Sequence, residues 1–123
     1  RNDAIIEYAE AGAKSKDHFL YLINNDEDKN IGIMWFAAVS NYGGNEAFLY
    51  DIKLNKESRG KGYGSESMKL LESKVAKLNL EAISLHVFLE NNIACSLYNK
   101  MGYQEIQRGK SGVIMKKVIK KGN

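Results

Sequence analysis

Proline is absent from the 123 residues, so glycine and asparagine must punctuate the elements. Cysteine occurs once, at Cys95, which excludes an internal disulfide and suits a reducing, cytoplasmic compartment. The two histidines, His18 and His86, lie far apart in the chain, and with a single thiol they offer no metal-site spacing. No apolar run approaches the roughly 18 residues of a membrane-spanning helix, and no signal or transit peptide pattern is visible. Strong charge is missing too: the net balance is +3. Much of the excess sits in Lys116, Lys117, Lys120 and Lys121. Such a cluster can serve as a nucleic-acid arm, but no nucleic-acid-binding motif accompanies it, and a solvated terminal tail is the simpler reading. The chain begins at Arg1 rather than methionine, as a fragment or a processed chain does.

What is present is 44% hydrophobic and 27% charged, the composition of one globular domain over residues 1–123. Asp3 to Ala13 reads as a short helix, and Phe19 to Ile23 as a compact apolar strand. Asn24 to Asn30 is a polar turn leading into a second strand, Ile31 to Val39. Asn41-Tyr42-Gly43-Gly44-Asn45 has hairpin chemistry and predicts an antiparallel pairing with a third strand, Ala47 to Leu54. Unless a bulge intervenes, alternation puts Phe48, Tyr50, Ile52 and Leu54 on one face of that strand. Leu49, Asp51 and Lys53 then share the other.

A helix follows from about Ser65 to Leu78, with Met68, Leu71, Val75 and Leu78 on one stripe. Ala82 to Phe88 reads as a buried strand. Asn92 to Met101 reads as a second helix, capped by Asn91 and stopped at Gly102. On its wheel Ile93, Leu97 and Met101 form the core face, while Asn91, Cys95 and Tyr98 share another. Tyr103 to Gln107 and Val113 to Val118 close the chain around the turn Gly109 to Gly112. This order predicts a mixed α/β domain whose sheet holds both parallel and antiparallel pairs.

The most informative stretch is Arg59-Gly60-Lys61-Gly62-Tyr63-Gly64, between a strand and a helix. Alternating glycines let main chain approach a bulky phosphate, and amides at a helix N-terminus attract anions. Arg59 and Lys61 add positive charge. The spacing does not fit a P-loop. It fits a dinucleotide fingerprint only imperfectly, because Ser65 stands where a third glycine belongs. A tight corner that binds nothing needs one glycine rather than three.

Arg59, Gly62 and Gly64 satisfy R-x-x-G-x-G. Downstream, Asn91, Ala94, Tyr98, Gly102 and Tyr103 satisfy N-x-x-A-x-x-x-Y-x-x-x-G-[FY] at every fixed position. Together the two signatures resemble the GNAT superfamily of acetyl-CoA-dependent N-acetyltransferases, over roughly Phe19 to Val118. The resemblance implies a mostly antiparallel sheet with a central splay between two parallel strands, flanked by helices. It also implies an N-terminal portion shortened relative to the family. It implies acetyl-CoA as acetyl donor, held by the backbone of Ile52, Lys53 and Leu54. The turn Arg59, Gly60, Lys61, Gly62, Tyr63, Gly64 and Ser65 would hold its diphosphate, with Asn91, Ala94 and Tyr98 along the arm. The implied acceptor is an amine-bearing small molecule or protein, and members of the family often form homodimers.

Acetyl transfer from a thioester needs a neutral amine, yet a lysine-type amine with a pKa of about 10.4 is mostly protonated at neutral pH. The site must therefore remove a proton, steady an oxyanion and protonate the departing sulfur. The resemblance gives the last task to Tyr98. Asp51, beside the expected thioester, is the first candidate for the base, although it can equally pair with Lys53. Glu46 is the fallback. Cys95 can in principle accept an acyl group, but a packed thiol is the simpler role. An acetyl-CoA-binding module without turnover is the alternative to an enzyme.

Overall fold

The computed structural model describes residues 5–9, 17–41 and 44–119. Its elements run β1 (Ile5–Ala9), β2 (His18–Asn24), β3 (Asn30–Asn41), β4 (Gly44–Leu54), a single 3-10 turn (Lys56–Ser58), α1 (Tyr63–Lys77), β5 (Ala82–Phe88), α2 (Asn92–Lys100), β6 (Gln104–Arg108) and β7 (Gly112–Val118). All the described strands join one sheet in the order β1-β2-β3-β4-β5-β7-β6. Only the β4–β5 pairing is parallel; the others are antiparallel.

The first strand corrects the helix expected over Asp3 to Ala13. Ile5–Ala9 pairs antiparallel with β2, Ile5 opposite Asn24 and Ala9 opposite Leu20. Its run Ile-Ile-Glu-Tyr contains the β-branched and aromatic residues that suit a pleated edge. The rest of the expected helix lies outside the described residues.

Two hairpins bring β2, β3 and β4 together. In the first, Asn25 Oδ1 accepts from the amides of Glu27 (2.9 Å) and Lys29 (3.0 Å), while Asp28 takes a left-handed φ of 62°. In the second, Asn41 stands opposite Gly44. The β3–β4 ladder then slips: Trp35 pairs with Asp51 but Phe36 with Leu49. Tyr50 is the extra residue of a β-bulge. The bulge overturns the simple alternation. Ala47 and Leu49 face the core before it, and Ile52 and Leu54 pack against the core after it.

α1 closes over this face. Met68, Leu71 and Val75 are fully buried among Ile23, Met34, Phe36, Ile83 and Leu85. Each such side chain contributes about 1.5–3 kcal/mol of burial. Leu78, expected on the same stripe, is 41% exposed. The helix ends there, because Asn79 adopts a left-handed φ of 64° and the Leu80 amide donates back to the Val75 carbonyl at 3.1 Å. α2 ends the same way: Gly102 has φ 95° and the Tyr103 amide reaches the Tyr98 carbonyl at 2.9 Å. An asparagine and a glycine thus stop both helices in a chain without proline.

Lys116 and Lys117 do not belong to a solvated tail. They lie in β7, where Lys116 pairs with Glu46 and Lys117 pairs with Glu72 on α1 at 3.1 Å. The Tyr103 hydroxyl donates to the same Glu72 carboxylate at 3.0 Å. Lys120 and Lys121 lie outside the described residues.

Candidate active site

The parallel strands β4 and β5 stay paired from Glu46 opposite Ala82 to Leu49 opposite Leu85. Past the bulge they part. β4 beyond Leu49 keeps β3 on one side and, among the described residues, has no strand on the other. Between the diverging strands lies a cavity of about 180 Å³. Its walls include Asp51 and Ile52 from β4, His86 and Phe88 from β5, and Ala94 and Tyr98 from α2.

Asn91 sits at the rim as the N-cap of α2, its Oδ1 accepting from the Ala94 amide at 3.1 Å. That cap fixes the start of the helix, and Tyr98 follows two turns later. The structure keeps Leu97 and Met101 of the expected core face packed against the core but exchanges Ile93 for Tyr98. Ile93 is 84% exposed, whereas Tyr98 is buried and its ring lies 5.9 Å from that of Tyr103. The inward face is set by α1, which packs against Leu97, and by β5; a wheel of α2 alone contains neither. Burial raises the pKa of the Tyr98 hydroxyl, and the negative charge of Asp51 raises it further. The hydroxyl therefore keeps its proton at neutral pH and remains a donor.

Glu46 is not at the cavity. Its carboxylate accepts from the Ser84 hydroxyl at 2.9 Å and pairs with Lys116. Asp51, by contrast, lines the cavity. Cys95 does not line it; the thiol donates to the Phe88 carbonyl at 3.6 Å. Among the residues that line it and that reading the sequence passed over are Tyr50 and His86. His86 was missed because Ala82 to Phe88 reads as a buried strand, whereas His86 and Phe88 are exposed. Tyr50 was missed because its placement depends on the bulge.

The glycine turn lies where β4 ends. Arg59 Nε donates to the Leu54 carbonyl at 3.1 Å, tying the turn to the strand. Gly62, with φ 87°, is the N-cap of α1 and has no side chain to cap it. The amides of Tyr63, Gly64 and Ser65 consequently have no side-chain partner among the described residues. A Cβ built on Gly60 or Gly62 meets nothing within 4 Å, so the turn is open on its outer side. Gly64 differs: its Cβ position lies 3.4 Å from Leu97 Cδ2, and this glycine serves the contact between α1 and α2. Lys53, Arg59 and Lys61 are exposed, Tyr63 and Ser65 half-buried. No group of three His, Cys, Asp or Glu side chains among the described residues can hold a metal ion. No helix among them is long and apolar enough to cross a membrane.

The model of the acetyltransferase (GNAT) family matches residues 2–103. The chain belongs to this family. It is 36% identical over 92 residues to YdgE of Bacillus subtilis, an uncharacterized N-acetyltransferase, covering 75% of this chain and 59% of that protein. It is 33% identical over 94 residues to a second uncharacterized N-acetyltransferase of that organism, YycN, covering 76% of this chain and 60% of that protein. The crystal structure of YycN superposes with a TM-score of 0.76 at 32% identity, over 82% of this chain and 64% of that one. A spermidine N-acetyltransferase from Vibrio cholerae, solved with CoA and spermine, shares the fold with a TM-score of 0.74 at 23% identity, over 86% of this chain and 68% of that one. The chain spans about three fifths of the length of the curated relatives it matches.

Proposed function

We propose that this chain transfers an acetyl group from acetyl-CoA directly to a primary amine. One observation carries the reading: Asp51 and Tyr98 line the same cavity, opened where β4 parts from β5, while the uncapped start of α1 lies at the end of the same strand.

The residues present fit acetyl-CoA. The free edge of β4 at Ile52, Lys53 and Leu54 offers main-chain groups to an extended arm. The amides of Tyr63, Gly64 and Ser65, with Arg59 and Lys61 nearby, suit a diphosphate. Gly60 and Gly62 leave their outer side clear for it. Asn91 and Ala94 line the remaining wall. Bound there, acetyl-CoA supplies the activated acyl group.

The chain's own side chains then move two protons. Asp51 accepts one from the acceptor ammonium, directly or through a water, and frees the nitrogen lone pair. The amine nitrogen bonds to the acyl carbon as the carbon–sulfur bond breaks. Tyr98 gives its hydroxyl proton to the leaving thiolate, and the second proton that the nitrogen sheds on becoming an amide restores the hydroxyl. The products are an amide, free CoA thiol and the proton held by Asp51. Among the relatives, the fold is shared with a spermidine N-acetyltransferase that binds CoA, which is in keeping with this chemistry.

The test is a thermal-shift comparison of acetyl-CoA, CoA, NAD and ATP, followed by an amine screen that reads free thiol. Selective stabilisation by the first two ligands and amine-dependent thiol release are expected. Stabilisation without any amine-dependent release makes the chain a binding module. Stabilisation by NAD or ATP instead overturns the reading.

A further inference from the structure

Tyr50 is the residue that the bulge adds to β4, and it borders two separate hollows. One is the cavity with Asp51 and Tyr98. The other is an open hollow of about 470 Å³, walled by Val39, Ser40 and Phe48. The Tyr50 ring stacks on Trp35 at 4.7 Å and on His18 at 5.8 Å, and meets Phe48 edge-on at 5.0 Å. Trp35 is fixed in turn, because its indole N–H donates to His18 Nδ1 at 2.9 Å. Yet Trp35 and Tyr50 remain 37% and 48% exposed. A rigid aromatic patch held open beside a reaction cavity is a surface that a ligand can cover.

Resting on the acetyl-transfer reading, we infer that this hollow receives the uncharged arm of the acceptor, so that the substrate is a primary amine carrying an aromatic or branched apolar group. The amino group belongs near Asp51. Tyr50 lines both the cavity and the hollow, so an arm that leaves Asp51 on the side away from β5 passes this ring. Val39, Phe48 and Tyr50 offer aliphatic and aromatic surface, and Ser40 a single hydroxyl. A second ammonium would need a free carboxylate. Glu46, on the same face of β4 as Phe48, is already engaged by Lys116 and Ser84. The arm is therefore recognised by burial and ring contact, and Tyr50 is the specificity-determining residue.

Trp35 is the chain's single tryptophan, so its emission reports on the patch without any need for turnover. Titration with 2-phenylethylamine and with 1,5-diaminopentane compares an aromatic arm with a second cation. Phenylethylamine is expected to bind at least about tenfold more tightly and to show a similar advantage in kcat/KM, as burial of a ring predicts. Tyr50→Ala and Phe48→Ala should each remove most of that preference. Ser40→Asp, at an exposed position, should shift it toward the diamine. Equal or better binding of the diamine by the unaltered chain overturns the inference, as does a preference that survives both alanine variants. An acetyl-CoA thermal shift run in parallel separates the two levels. If acetyl-CoA binds and the arms are not discriminated, the inference alone fails. If acetyl-CoA does not bind, the transfer reading fails, whatever Trp35 reports.

Discussion

The Asp51 carboxylate on β4 and the Tyr98 hydroxyl on α2 line one cavity from two elements, and the charge of the first raises the pKa of the second. Burial of Tyr98 is the larger cause. In the proposed reaction Tyr98 is the proton donor, and the charge of Asp51 favours the protonated hydroxyl that this role needs.

Tyr98→Phe removes the donor but keeps the ring that packs against Tyr103. Turnover should fall about a hundredfold or more. Acetyl-CoA affinity should stay within a small factor, and stability should change by about 1 kcal/mol or less. Steady-state kinetics beside a urea titration check both. Unchanged turnover would remove Tyr98 from the proton path.

Asp51→Asn should lower the Tyr98 pKa, because a neutral amide no longer opposes the phenolate. It should still leave it above the ordinary value of 10.0, since burial persists. Carbon-13 labelling of the tyrosine ring, with Tyr98→Phe to assign the signal, measures the titration. A pKa that rises or stays in place in the Asn variant would show that Asp51 does not act on Tyr98.

Alkaline stability follows from the same direction of shift. Tyr98 and Tyr103 both have folded-state values raised above 10.0, Tyr103 by burial first and then by the neighbouring Glu72 carboxylate. Above pH 10 the unfolded chain loses these protons before the folded one does. Their contribution is therefore fully present below pH 10 and declines as pH rises toward the folded values. Urea midpoints between pH 8 and 12 should fall, and the fall should be shallower in Tyr103→Phe than in the unaltered chain.

Two glycines of the turn should respond differently. Gly62→Val places a side chain in the left-handed region at φ 87°, costing about 1–2 kcal/mol, and projects it to the open side of the turn. Acetyl-CoA should no longer raise its melting temperature. Gly64→Ala keeps the amide and meets only the Leu97 methyl at 3.4 Å, so its thermal shift should survive. A shift retained in the valine variant would put the diphosphate elsewhere.

Local chemistry made much of this fold readable. Asn91 as a cap, Gly102 as a stop and the glycine turn before α1 each express a backbone rule confined to a few neighbouring residues. The same holds for the strand–turn–helix order that carries the family signatures. What escaped depends on partners distant in sequence. Ile5–Ala9 is a strand because β2 lies beside it. Tyr50 turns outward because β3 has one residue fewer in register. Tyr98 rather than Ile93 points inward because α1 and β5 lie on that side. Lys116 and Lys117 resembled tail residues until Glu46 and Glu72 were placed opposite them.

The parallel ladder between β4 and β5 is four residue pairs long, and it is the only strand pairing between the four-stranded and three-stranded halves of the sheet. The cavity lined by Asp51 and Tyr98 opens directly beyond that seam. A larger side chain at Ala47, fully buried and opposite Ile83 on the seam, would therefore alter the separation of Asp51 and Tyr98 without touching either.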